Sequence, residues 1–253
     1  MLKEKVGIVT GAASGIGLAV SEALAKEGVK VVMADVNESL LKEAAEKVGC
    51  SYYVGDLSNR ETCKGLVDFT IEKHLKVDIL VNVAGIQTVK AIEEFPEDKW
   101  DFMISLMLTA PFLLTKYCWR SMKEQNWGRI INLNSIHGLV ASEFKSAYVS
   151  AKHGLMGLTK TAAMEGGEYG ITVNSICPAY VRTPLVDGQI KSQALHHGIS
   201  EDQVVREVML SKAAIKTMLE PSTIAEVVLF LCSDTAANIT GVGLPIDGGW
   251  TAN

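Results

Sequence analysis

The chain has 253 residues, 48% of them hydrophobic, 21% charged and 6% aromatic, with 22 Gly and 6 Pro. That is enough apolar material for a sizeable core, which excludes a mostly disordered chain, and the length suits one large α/β domain. Lys and Arg number 24 against 29 Asp and Glu, a net charge of −5 with no dense basic run, so a nucleic-acid partner gets no support.

In chain order, short apolar runs alternate with helical stretches. Residues 6–10 read as a buried strand, 15–27 as a helix ended by Gly28, and 29–34 as a second strand. A helix over 38–48, a strand over 51–54, a helix over 61–74 and a strand over 79–82 follow. The rhythm repeats with a long helix near 98–124, a strand at 129–133, a helix at 148–166 and a strand at 172–176. A helix near 222–231 precedes a last strand at 242–246. About seven Val/Ile-rich strands separated by amphipathic helices predict a doubly wound α/β domain of Rossmann type, 1–253, with a parallel sheet covered on both faces. The exception is 183–219, a long charged run without a strand, which suits a lid over a site.

No apolar run approaches the 18 residues that span a bilayer, and the N-terminus lacks a secretory h-region. The cysteines, Cys50, Cys63, Cys118, Cys177 and Cys232, are odd in number and never C-x-x-C, which argues against a disulfide framework or a zinc site. We expect a cytoplasmic protein with no metal and no membrane partner.

Two constellations carry chemistry. The first, Thr10-Gly11-Ala12-Ala13-Ser14-Gly15-Ile16-Gly17, lies between a strand and a helix, where backbone N–H groups and the helix dipole can meet an anion. Asp35 closes the next strand, placed to accept from an adenosine ribose diol and to repel a 2′-phosphate. With no Arg beside it, NAD is favoured over NADP. The second is Tyr148 and Lys152, four apart and so on one helical face, thirteen residues beyond Ser135 at a strand end. A cation beside a phenol favours its ionised form and suits it to acid/base work, and the serine can donate to a substrate oxygen. Nearby, His137, Lys145, Gln87 and Gln189 offer an imidazole, a cation and amides to a short carboxylate, although Lys145 could equally be a solvated loop residue.

The T-G-x-x-x-G-I-G turn, Asn82-Val83-Ala84-Gly85, Tyr148-Val149-Ser150-Ala151-Lys152, Pro178-Ala179-Tyr180-Val181-Arg182-Thr183-Pro184 and the closing Ile246-Asp247-Gly248-Gly249-Trp250 together resemble the short-chain dehydrogenase/reductase family over essentially the full length. The resemblance implies hydride transfer to a nicotinamide, with Ser135, Tyr148 and Lys152 catalytic. It implies NAD held by Thr10, Gly11, Ser14, Gly15, Ile16, Gly17, Asp35, Asp56, Leu57, Asn82, Ala84, Gly85, Tyr148, Lys152, Pro178, Val181 and Thr183. Thr183 could instead, or in addition, cap the next helix.

His137 to Ser142, Lys145 to Gly154 and Val181 to Ile190 are similar to a tetrameric subgroup of that family that oxidises D-3-hydroxybutyrate to acetoacetate with NAD. In that subgroup the residues matching Gln87, His137, Lys145 and Gln189 bind the carboxylate, an aromatic matching Tyr180 shields the methyl group, and 187–210 closes over substrate. The partners implied are a small hydroxy-acid or keto-acid and three further copies of the chain. A diol, sugar alcohol or 3-oxoacyl thioester substrate, or a dinucleotide-binding protein without turnover, are the alternatives. The chain departs from the family at Met107, where an Asn usually supports a proton-relay water.

Overall fold

The computed structural model describes residues 2–252. Seven strands, β1 (Val6–Thr10), β2 (Lys30–Asp35), β3 (Ser51–Val54), β4 (Ile79–Asn82), β5 (Gly128–Leu133), β6 (Ile171–Pro178) and β7 (Gly243–Ile246), form one sheet in the order β3-β2-β1-β4-β5-β6-β7. Every pairing is parallel. The chain winds outward from β1 to β3, crosses back to β4 beside β1, and winds outward again. That reversal opens a crevice at the carboxyl ends of β1 and β4, where doubly wound sheets bind ligands.

Side chains alternate across the sheet, so each strand feeds two cores. Val9, Val31, Met33, Val81 and Ile131 bury one face against α1 (Gly15–Lys26), α2 (Glu38–Val48) and a helix near the C-terminus, Pro221–Cys232. Ile8, Val32, Leu80, Ile130 and Val173 bury the other against α3 (Arg60–His74), the long helical stretch after β4, and Ser146–Gly166. At the amino edge, buried Asp78 accepts from the Val6 N–H at 2.8 Å and meets Lys76 at 2.9 Å and Lys5 at 3.3 Å. The sheet is thereby fixed at the end away from the crevice.

The predicted elements form, with ends shifted by at most two residues. The long helix near 98–124 is not uniform. It consists of α4 (Glu97–Ile104), a π-helical turn (Ser105–Thr109) and α5 (Ala110–Glu124). Such a widened turn often stands beside a functional site, and here its buried Met107 packs below Gly85. Taken together, Glu97–Glu124 is long and apolar enough to cross a membrane by length and composition, which corrects the sequence expectation. Half of its most apolar window is buried inside the protein, the behaviour of a core helix.

After α6 (Ser146–Gly166) and β6 comes the strandless excursion. α7 (Pro184–His197), the one-turn α8 (Glu201–Gln203) and a second π-helical stretch (Val204–Met209) enclose a small apolar cluster of Ile190, Val204, Met209, Leu210, Ala213 and Met218. A single bridge between Val181 and Leu219 closes it. The chain then enters α9 (Pro221–Cys232) and β7.

Candidate active site

Two cavities open at the crevice, one of about 330 Å³ running from the β1–α1 turn to Tyr148, and one of about 280 Å³ beside β2 and β3. At the turn, Gly11 has φ +62°, and a Cβ there would stand 2.9 Å from the Ala84 Cα. A Cβ on Gly17 would stand 2.1 Å from the Gly11 carbonyl oxygen. The two positions have no room for a side chain, and the backbone they free borders the larger cavity. Ser14, at the N-cap of α1, makes no side-chain cap bond. This is a cradle for a phosphate-bearing ligand at a helix N-terminus, so the residues fit a dinucleotide.

Asp35 borders both cavities. One carboxylate oxygen accepts from the Ala13 N–H at 3.1 Å and the other from the Asn37 N–H at 3.0 Å, leaving acceptor capacity on each. Asp56 and Leu57 line the smaller cavity with Phe102 and Leu106. Gly15, Ile16, Ala84, Gly85, Pro178, Val181 and Thr183 line the larger one.

Two residues expected to touch the dinucleotide lie beneath the cavities instead. Buried Thr10 accepts through Oγ1 from the N–H groups of Val83 at 2.9 Å and Ala84 at 3.1 Å, fastening the two turns together. Buried Asn82 donates to Asn132 at 2.8 Å, and Asn132 donates to Thr159 at 2.9 Å. Both act from below because β1 and β4 point these side chains across the sheet ends, not outward. Thr183 borders the cavity and also caps α7, accepting from the Val186 N–H at 3.3 Å. Ala179 keeps a negative φ, so an alanine holds its turn.

At the other end, β5 delivers Ser135 and the first two turns of α6 deliver Tyr148 and Lys152, all bordering one cavity. The Lys152 ammonium is buried, donates to the Leu133 carbonyl at 2.7 Å and stands 5.6 Å from the Tyr148 ring centre. Burial brings Lys152 down to about 8. Burial also raises Tyr148, and hydrogen bonding from the Ser135 hydroxyl opposes that rise. The expectation that the lysine charge lowers the phenol is therefore corrected. Desolvation of the phenol itself sets the direction.

Gln87, His137, Lys145, Tyr180 and Gln189 all border the same cavity. Burial lowers Lys145, and among the described residues no carboxylate pairs with it. It follows Phe144, a non-glycine residue at φ +64°, and strain of this kind persists where the surroundings impose it. The amide of Gln87 accepts from the neighbouring Thr88 N–H at 3.1 Å. Both ring nitrogens of His137 are engaged, Nδ1 with Ser135 at 3.3 Å and Nε2 with Ser142 at 2.6 Å. Burial, with Lys145 and His153 adding to it, holds His137 down at about 4, so it is neutral at pH 7.

Two further residues belong to this end. Asn134 accepts from the Ser135 N–H at 2.9 Å and donates to the Lys152 carbonyl at 3.1 Å, tying the serine to the lysine's helix. Its signal was a polar residue directly before Ser135 in a strand end. Trp250, its ring centre 6.2 Å from that of His137, packs against the cluster under α7. Nothing local in the sequence pointed to that contact across 113 positions.

A doubly wound sheet, a glycine cradle and a Ser–Tyr–Lys set define a nicotinamide-dependent oxidoreductase. A family model described as enoyl-(acyl carrier protein) reductase matches residues 11–251. A D-beta-hydroxybutyrate dehydrogenase of Rhizobium meliloti is 44% identical, over 98% of this chain and 99% of its own length. One of Cupriavidus necator is 40% identical over all of both chains, and an uncharacterized oxidoreductase of Bacillus subtilis is 40% identical over 99% of this chain and 100% of its own. The crystal structure of gox2181 superposes with a TM-score of 0.90 at 29% identity, covering 99% of this chain and 97% of that one. The chain belongs to the short-chain dehydrogenase/reductase family.

Proposed function

We propose that this oxidoreductase interconverts D-3-hydroxybutyrate and acetoacetate with NAD. The observation that carries the reading is Lys145, a partly buried ammonium without a carboxylate partner among the described residues, facing the cavity that Ser135 and Tyr148 border. A cation so placed is offset by an anionic substrate. Gln87 and Gln189 add amides to the same wall, and Tyr180 adds an aromatic face. The names of two full-length relatives point the same way.

In this reading the Tyr148 oxygen takes the hydroxyl proton of the alcohol and Ser135 holds the oxygen on which charge changes. Lys152, its ammonium 5.6 Å from the Tyr148 ring centre, adds a favourable charge when the phenol ionises, against the burial that raises it. NAD, when bound, accepts the hydride. Its preference over NADP rests on Asp35, whose neighbours Ala34, Val36 and Asn37 offer no cation to a 2′-phosphate. The excursion at 187–210 closes over substrate and excludes water, bringing Gln189 inward. The tetramer expected from the subgroup remains part of the proposal.

Absorbance of the reduced nicotinamide, followed with D- and L-3-hydroxybutyrate and either dinucleotide, tests this directly. Turnover should be confined to the D acid and be much more efficient with NAD. Lys145→Ala should raise KM for the acid by about 10- to 100-fold, the scale of a lost charge-assisted bond. An unchanged KM would favour an uncharged substrate such as a 3-oxoacyl thioester.

A further inference from the structure

Three successive residues at the end of β5 meet α6, and each does a different job. Leu133 offers its carbonyl to the Lys152 ammonium at 2.7 Å, and Ser135 borders the cavity. Asn134, between them, is buried. Its amide oxygen accepts from the Ser135 N–H at 2.9 Å, and its amide nitrogen donates to the Lys152 carbonyl at 3.1 Å and to Ser175 Oγ at 3.5 Å. Lys152 is thus held twice by one strand end, through its ammonium and through its main chain. Resting on the reading of Ser135, Tyr148 and Lys152 as the catalytic set, we propose that Asn134 is a positioning residue for hydride transfer. It fixes the Ser135 hydroxyl against the helix that carries Tyr148 and Lys152.

The amide has one orientation open to it. Thr159 gives its proton to the Leu155 carbonyl at 2.8 Å and accepts from Asn132 at 2.9 Å, so in its 2.9 Å contact with Ser175 the serine donates. Ser175 has then spent its proton and can only accept from Asn134. A reversed amide would set N–H against the Ser135 N–H and oxygen against the Lys152 carbonyl. Asn134 is therefore the last member of a buried polar chain that starts at Asn82 and passes through Asn132, Thr159 and Ser175. A satisfied network of this kind holds its members to one geometry. Ser135 is extended, φ −163° and ψ 163°, at the start of a tight turn, Ile136–Gly138. The direction of its side chain follows from the peptide whose N–H Asn134 holds.

Asn134→Ala should lower kcat about 5- to 50-fold, within the ~10²-fold that a misplacement of about 1 Å can cost, and leave KM for NAD within about twofold of wild type. With D-3-hydroxybutyrate deuterated at C3, the primary isotope effect on kcat should rise, because hydride transfer slows relative to the release steps. Gly138→Ala reaches the same amide from the other side. The added carbon would collide with Asn134 Oδ1 and stand 2.8 Å from Cγ and 2.9 Å from Nδ2. It should reproduce the loss, and cost nothing further in the Asn134→Ala background, where the space is empty. Because it displaces the amide without deleting it, Gly138→Ala carries the test where Asn134→Ala is too unstable to assay. Ser121→Ala is the control for stability alone. It removes the acceptor of the Val77 N–H, 2.9 Å away at the amino end of the sheet, and should lower the thermal midpoint with kcat and isotope effect unchanged. Wild-type kcat and isotope effect in Asn134→Ala, or losses that multiply in the double variant, would overturn the proposal. Failure of the underlying reading is a separate result: Tyr148→Phe would then keep its turnover.

Discussion

The two ends of the larger cavity are built by different means. The dinucleotide end is backbone. Gly11 and Gly17 let two turns and a helix start press together, and the buried Thr10 hydroxyl binds N–H groups of the neighbouring turn. The chemical end is side chain. Ser135, His137, Lys145, Tyr148 and Lys152 come from a strand end, a loop and a helix, and each is shifted or held by burial and hydrogen bonding. A site made of backbone depends on shape and fails when an atom is added. A site made of side chains fails in grades, according to which atom is removed.

Three substitutions separate the two ends. Tyr148→Phe should have the largest effect, lowering kcat by at least about 10²-fold while NAD affinity, measured by fluorescence titration, stays close to wild type. Gly17→Ala should act in the opposite sense. The added carbon meets the Gly11 carbonyl at 2.1 Å, so the turn must shift. Overpacking of about 1–3 kcal/mol should appear as a lower thermal midpoint and as NAD binding weakened by about 5- to 150-fold. A variant with normal stability and NAD affinity would show that the turn is not the cradle described.

The smallest effect is expected at Met107. Its side chain is buried beneath Gly85 in the π-helical turn. Met107→Asn should raise kcat several-fold if a water can enter the widened turn and serve Lys152. If another proton path already serves the site, the buried amide should bring no gain and a stability loss of about 1–3 kcal/mol. Measuring kcat and the thermal midpoint on the same protein decides between them.

The legible part of this protein was the part that chain neighbours impose. Period and composition marked every strand of the sheet, because a strand buried on both faces must be apolar throughout. Gly11, Gly15 and Gly17 marked the dinucleotide turn, because backbone contact requires glycine at fixed spacing. Tyr148 and Lys152 were legible as a pair because four residues make about one helical turn. The π-helical turn was hidden, since 98–124 has the apolar period of an ordinary helix and only packing against α6 and Gly85 widens it.

What the tertiary structure alone decided was the electrostatics and the long-range company of the site. Sequence put a cation beside a phenol and predicted a lowered phenol. Burial of both reverses the balance, and burial belongs to the assembled fold. Thr10 and Asn82 sat in the right motifs, yet strand direction turned them beneath the cavity as supports. The bond from His137 to Ser142 and the approach of Trp250 depend on loops that meet only after the sheet has closed. Residue types and their spacing specified which chemistry was available. The distances and desolvation that set its protons arise only when segments far apart in the chain exclude water together.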